Sequence, residues 1–130
     1  MTTAFIEAKQ LKLAIQRIPE QSEITLTVLI KCRTIAYYRE NPIAASGMEA
    51  LDTFVKLIKP ILNQVDAQLT YQSKHCLNIS GEEHTSWNYQ LRFSFANITS
   101  VLSLLSLEAY HDVLKHFYAG ADQFDTVVSY

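Results

Sequence analysis

A strict alternation of apolar and polar residues over positions 87–95 constrains the fold more than any other feature of the chain. The apolar members are Trp87, Tyr89, Leu91, Phe93 and Phe95, and polar residues stand between them. Successive side chains of a β-strand point to opposite faces of a sheet, so a period of two predicts a strand with one buried and one solvated face. The chain therefore contains a sheet that is covered on one side.

An earlier alternation predicts a second central strand. Over residues 24–32, aliphatic side chains alternate with mostly polar ones, and several residues are β-branched. This composition favours a strand. The competing interpretation is a helix over residues 22–41. The strand is preferred because the faces of that helix would mix Lys31 and Arg33 with aliphatic side chains.

Helical spacing of apolar residues predicts three helices. The first spans residues 3–18 and ends before Pro19. The second begins with the capping-box pair Ser46 and Glu49, and Pro60 inside it predicts a kink or break near position 59. The third follows position 97 as one continuous helix and stops at Gly120.

The remaining apolar patterns complete the order of elements. Odd positions from 67 to 79 predict another strand with a bulge at positions 73–74, and residues 124–130 predict a final strand. Without the first helix, the order is β-α-β-β-α-β, the order of the ferredoxin-like split βαβ arrangement, with strands ordered 4-1-3-2 and both helices on one face. The expected fold is a single α+β domain over residues 1–130, ferredoxin-like, with an additional N-terminal helix over residues 1–19.

Composition excludes several functional classes. The net charge of −2 provides no overall attraction to nucleic acid or anionic lipid. With three glycines, the chain has no Gly-rich phosphate loop, and it lacks paired-cysteine metal motifs and nucleophile elbows. Glu108 and His111 have the Glu-x-x-His spacing of di-iron bundles, but those bundles need the motif twice. We therefore predict a protein that is not an enzyme and uses no cofactor or metal.

The two cysteines and the N-terminal residues indicate the cellular compartment in which the protein is expected. The chain contains two cysteines, and its first residues resemble the start of an amphipathic helix rather than a signal peptide. No apolar run reaches the roughly 20 residues that a membrane helix needs. We expect a cytoplasmic protein with free thiols that does not insert into membranes.

Two segments are candidates for binding another protein. The stripe of the first helix, which includes Leu11 and Ile15, must be covered either by the end of the sheet or by a second subunit or partner. The connector over residues 37–41 contains Tyr37, Tyr38 and Arg39. Tyrosine and arginine dominate interface hot spots, although two tyrosines also suit the covered end of a core.

These segments support the leading functional hypothesis. We predict a non-enzymatic protein-protein interaction module, a homodimer, that binds through Leu11, Ile15, Tyr37, Tyr38 and Arg39. In size, α+β content and missing motifs it is similar in type to small inhibitors, immunity proteins and the anti-defence proteins of phages. The identity of the partner is open.

The alternative hypothesis uses the open face of the predicted sheet. That face is expected to be polar, mildly basic and free of aromatic residues, whereas sheets that bind RNA stack bases on exposed aromatic side chains. Nucleic acid is therefore disfavoured. Lys31, Arg33 and Arg92 are the candidate residues for binding a phosphate or carboxylate of a small ligand or RNA.

Overall fold

A computed structural model describes residues 6, 8–39, 44–81 and 86–130 of the chain. The elements in order are α1 (Ala8–Ile15), β1 (Ile24–Cys32), α2 (Gly47–Asn63), β2 (Ala67–Ser73), β3 (Tyr89–Phe95), α3 (Ile98–Ser106), α4 (Glu108–Gly120) and β4 (Ala121–Ser129). Across these ranges, no helix has the length and apolar character required to cross a membrane.

The four strands form one antiparallel sheet in the order β2-β3-β1-β4. This order is the predicted one read from the opposite edge, so the ferredoxin-like arrangement is confirmed. Residues 24–32 form the strand β1 rather than part of a helix over residues 22–41. Its central position is possible because both of its edges pair, with β3 on one side and β4 on the other.

The core lies between one face of the sheet and the helices. The inward side chains of β3 are completely buried, as are Val28 and Ile30 of β1. Apolar residues from α2, α3 and α4 belong to the same core cluster, and Phe54 of α2 meets Phe117 of α4 edge to face at 5.3 Å between ring centroids. The aromatic alternation therefore belongs to the core from Tyr89 to Phe95, whereas Trp87, predicted to share the strand, precedes β3 and is only partly buried.

The helix α2 begins as its sequence predicts and continues where a break was expected. Ser46 Oγ accepts a hydrogen bond from the Glu49 N–H, and the Ser46 N–H donates to Glu49 Oε1, which completes the capping box. The break predicted near Lys59 does not occur, since α2 runs through Pro60 to Asn63. Pro60 is exposed, and the burial of Leu62 on the opposite side holds the last turn against the core.

The strand β2 differs from its prediction in length and in phase. It ends at Ser73 instead of position 79, and its register with β3 shifts between Leu69 and Tyr71 rather than at positions 73–74. Leu77 and Ile79, expected to face inward, are 91% and 98% exposed. The hairpin beyond Ser73 thus leaves the sheet before these residues reach the core.

The predicted third helix is two helices. Leu107 has an extended conformation, with φ −80° and ψ 126°, and separates α3 from α4. The break follows from the positions of the buried residues. Leu104 and Tyr110 are both 0% exposed, yet six residues of continuous helix would turn them about 120° apart at 3.6 residues per turn. Breaking the helix allows both side chains to enter the same core.

Candidate functional site

The face of the sheet opposite the core is the candidate binding surface, and we call it the open face. Paired residues of antiparallel strands share a face, so the observed register defines its members. They are Thr25, Thr27, Leu29 and Lys31 of β1, Gln90, Arg92 and Ser94 of β3, Gln123, Asp125, Val127 and Ser129 of β4, and Gln68, Tyr71 and Ser73 of β2. In the described part of the chain, the apolar sides of the helices join the core cluster on the other side.

An aromatic side chain lies on the open face, contrary to the expectation that it has none. The register shift between Leu69 and Tyr71 reverses the phase of β2 and places Tyr71 opposite Arg92. The guanidinium carbon of Arg92 is 5.1 Å from the Tyr71 ring centroid, within the range of a cation–π contact. The face thus combines apolar, aromatic and charged side chains.

The three cations predicted to bind a ligand do not converge on one site. Arg92 pairs with Thr27, and Lys31 lies four residues further along β1, about 13 Å away at the rise of an extended strand. Arg33 follows the end of β1, where its Nη1 is 4.0 Å from Asp122 Oδ1 and its guanidinium carbon is 5.9 Å from the Tyr37 ring centroid. A phosphate or carboxylate cannot contact all three.

The helix α1 packs against the core of its own chain. Leu11 and Ile15 are partly buried against the core cluster, near Ile24 and Leu26 at the start of β1. Leu13 on the other side of α1 is 61% exposed. Of the two alternatives for the apolar stripe, the structure shows the first, in which the sheet covers it. The residues before position 6 lie outside the described ranges.

The connector after β1 is only partly available to a partner. Tyr37 is 63% exposed, and its N–H donates to the Ala119 carbonyl at 2.9 Å. The Tyr38 hydroxyl lies 2.7 Å from His116 Nδ1, so this tyrosine covers the side of α4. Arg39 is exposed, and positions 40–43 lie outside the described ranges.

The two predicted partner-binding segments lie at opposite ends of β1. The helix α1 contacts the start of the strand, whereas the connector follows its last residue. A strand of nine residues separates them by about 26 Å. The structure therefore does not combine Leu11 and Ile15 with Tyr37, Tyr38 and Arg39 in one surface, and partner binding by either segment stays a prediction.

A cluster of paired polar side chains, missed by the sequence reasoning, closes one end of the core. The buried Tyr89 donates its hydroxyl to Asp52 Oδ1 at 2.9 Å, and Gln72 Nε2 donates to that hydroxyl at 2.8 Å. Lys74 Nζ donates to Asp52 Oδ2 at 2.9 Å. Burial, followed by the bond to Asp52, raises the pKa of Tyr89. A tyrosine at an inward strand position was the available signal, because a buried hydroxyl requires a partner.

The thiol of Cys32 lies close to this polar cluster and is not activated. Burial first, and then the negative charge of Asp52 and the nearby Cys76, raise its pKa to about 11. The nucleophilic form of cysteine is the thiolate, so Cys32 is protonated and unreactive near neutral pH. Its N–H donates to Asn88 Oδ1 at 2.9 Å, which ties the end of β1 to the segment before β3.

The histidine of the Glu-x-x-His segment has a structural contact. His111 Nε2 lies 2.7 Å from the Leu105 carbonyl oxygen, across the break between α3 and α4. In residues 6, 8–39, 44–81 and 86–130, no group of three or more His, Cys, Asp or Glu side chains is arranged to hold a metal ion. The sequence Glu82-Glu83-His84, which also combines carboxylates with a histidine, lies outside these ranges.

Comparison with solved structures places the chain in the ferredoxin-like class of α+β folds. It is similar to a protein of unknown function from Rhodopseudomonas palustris, with a TM-score of 0.80 and 14% identity over 96% of this chain and 94% of that one. A dimeric ferredoxin-like protein of unknown function from Bacteroides fragilis has a TM-score of 0.54 and 17% identity, covering 85% and 98%.

A ferredoxin-like member of the DABB family from Mesorhizobium loti is similar at a TM-score of 0.55 and 12% identity, covering 85% of this chain and 97% of that one. No family model matches the sequence. No curated protein matches it either. At these identities the likeness establishes the fold alone.

Proposed function

We propose that the chain is a non-catalytic protein-interaction module that forms a homodimer through the open face of its sheet. The observation that carries the proposal is the chemistry of this face, which combines exposed apolar side chains with charges of both signs. Val127 is 54% exposed and Tyr71 is 45% exposed, and both belong to the face. Covering them removes apolar surface from water, which is the general driving force of association.

The charges of the open face suit a second copy of the same chain. A two-fold interface brings the same patch of each subunit together, so the patch must complement itself. Lys31 and Arg92 are positive, and Asp125 is negative. A face with only one sign would repel its copy, whereas this one supplies both partners of an intersubunit ion pair.

The area of the open face determines how stable a dimer we expect. Four strands spaced about 4.8 Å apart, each about 23 Å long over its paired residues, present roughly 450 Å² per copy. Two copies would bury about 900 Å², which is at the lower end of specific interfaces. We therefore expect a dimer that dissociates on dilution.

The comparisons add indirect support. The similar protein from Bacteroides fragilis is described as dimeric. The proposed dimer surface differs from the one in the sequence-based hypothesis, because the apolar side of α1 packs against the core of its own chain. The narrower roles of inhibitor, immunity protein or anti-defence protein stay predictions.

Mass in solution tests the proposal. We expect light scattering at high protein concentration to give twice the 14.8 kDa mass of one chain. Val127→Glu places a new charge in the interface and should give the monomer mass. Leu57→Glu is the matched control, because Leu57 is an exposed apolar residue of α2 on the other side of the molecule.

A third variant distinguishes a dimer formed through the open face from a dimer formed through α1. Leu13→Glu changes the exposed side of α1, so only a dimer formed through α1 would be disrupted by it. A wild-type monomer at all concentrations contradicts the proposal. So does a dimer that survives Val127→Glu, or one that Leu13→Glu alone converts to the monomer.

A further inference from the structure

The pairing register arranges the open face as rows of side chains that run across the strands. In the strand order β2-β3-β1-β4, one row consists of Tyr71, Arg92, Thr27 and Val127, and the next consists of Ser73, Gln90, Leu29 and Asp125. Adjacent rows lie two residues apart along each strand, which is about 7 Å. The apolar Tyr71 and Val127 therefore occupy the two edges of one row, and Asp125 lies at the β4 edge of the next.

A second copy of the chain can meet this face with its strands aligned in two ways. Packed sheets commonly keep their strand directions within about 30° of each other. The two-fold axis of such a pair lies in the plane of the interface and runs either along the strands or across them. In the along-strand arrangement, β2 of one copy lies over β4 of the other, and each row faces its own copy. In the across-strand arrangement, each strand lies over its own copy, and the two rows exchange places.

The exposed apolar side chains favour the along-strand arrangement. There, Tyr71 of each copy faces Val127 of the other, so both exposed apolar edges are covered by apolar surface. In the across-strand arrangement, Val127 faces the carboxylate of Asp125, and Tyr71 faces Ser73. Burying a carboxylate against an aliphatic side chain removes its water without providing a partner, which is costly.

The charges of the face favour the same arrangement. The guanidinium carbon of Arg92 lies 5.1 Å from the Tyr71 ring centroid, so the positive charge leans toward β2. In the along-strand arrangement, Asp125 of the second copy faces Ser73 of β2, one row or about 7 Å from this charge. The long arginine side chain can span that distance. In the across-strand arrangement, Asp125 of the second copy lies over β4, three strand spacings or about 14 Å from β2.

We propose that, in the homodimer proposed above, Arg92 of each copy binds Asp125 of the other, so that two symmetry-related ion pairs determine how the sheets are oriented. Within one chain these two residues lie on strands separated by β1, so each depends on the second copy for this partner. The planar guanidinium group suits a carboxylate because it can donate two parallel hydrogen bonds. Such complementary charges contribute mainly specificity, and they select a second copy of this chain over a partner with a different charge pattern.

Charge reversal in the full chain tests this ion pair. Arg92→Glu brings like charges together at both symmetry-related positions, and Asp125→Arg does the same with the opposite sign. Each variant alone should raise the dimer dissociation constant by about tenfold or more, measured by analytical ultracentrifugation. Both positions are exposed, so circular dichroism and urea unfolding should show the wild-type fold in each variant.

Mixing the two variants should restore association. In the mixed dimer, the glutamate of Arg92→Glu faces the arginine of Asp125→Arg, and the native Asp125 of the first chain faces the native Arg92 of the second. Fluorescently labelled Asp125→Arg, titrated with Arg92→Glu, measures this heterodimer directly. Lys31→Glu is the matched control, because it makes the same change of charge on the open face at a residue that faces β3 of the second copy. It should bind labelled Asp125→Arg no more tightly than the wild type does.

The possible results distinguish this ion pair from the dimer on which it rests. A wild-type chain that is monomeric at every concentration overturns both proposals. If Val127→Glu dissociates the dimer but the mixed charge variants stay monomeric, the ion pair is overturned and the open-face dimer is retained. Equal binding of labelled Asp125→Arg by Lys31→Glu and Arg92→Glu also overturns the ion pair, since association would then follow net charge alone.

Discussion

Replacing Tyr89 by Phe should lower the free energy of unfolding by about 1.5–2.5 kcal/mol. The ring is 0% exposed, and Phe keeps its packing, so the loss is confined to the hydroxyl. That hydroxyl donates to the Asp52 carboxylate at 2.9 Å and accepts from Gln72 at 2.8 Å. A hydrogen bond to a charged group contributes about 1.5–3 kcal/mol, and the half-buried Gln72 amide can turn to water at small cost.

Urea unfolding followed by circular dichroism measures this change at one fixed protein concentration, since a dimer would make stability depend on concentration. The matched control is Tyr71→Phe, at a tyrosine of the neighbouring strand β2 that is 45% exposed on the open face, where we expect less than about 0.5 kcal/mol.

A double-mutant cycle that combines Tyr89→Phe with Asp52→Asn measures the interaction energy between these two side chains. If Tyr89→Phe changes stability no more than its control, or if the cycle shows no coupling between positions 52 and 89, the structural role assigned to the cluster is refuted.

Two other predictions concern residues that contact the segment following β1, Gly47 beside Arg33 and His116 beside Tyr38. Gly47→Ala should lower the free energy of unfolding by roughly 1–3 kcal/mol, because the added Cβ would collide with the Arg33 carbonyl. Urea unfolding measures this change, and an unchanged midpoint of the urea transition contradicts the close packing. Burial, and then the charge of Lys115, lower the pKa of His116, so the unfolded chain binds the proton more tightly. The stability contributed by neutral His116 is therefore fully present above about pH 6.5 and is lost as the pH falls through its lower folded pKa. His116→Asn should flatten the dependence of the urea midpoint between pH 7.5 and 5.5, and an equal slope in both proteins would be inconsistent with the shift.

Most of the fold was predictable because its signals are local. The alternations of residues 24–32 and 87–95 define which side of each central strand is buried, and the Ser46–Glu49 pair begins α2. The order of strands then follows from the order of elements and the connections that ferredoxin-like folds allow.

The candidate site was less predictable, since each of its features depends on contacts between distant residues. The phase of β2 reverses at a register shift set by pairing with β3, which moves Tyr71 to the open face. The local pattern around Tyr71 has no turn residue that would reveal this shift. Likewise, the partner of Tyr89 is Asp52, which is 37 positions away in the chain.

The sequence by itself determined the strands, the capped helix and the apolar stripe of α1, because hydrophobic periodicity and capping act over a few residues. Only the tertiary structure decided that the chain's own sheet covers α1, that the helical run after position 97 breaks at Leu107, and that Tyr71 reaches the open face. Each of these outcomes depends on how separate elements fill a shared core, and a one-dimensional pattern does not contain that packing.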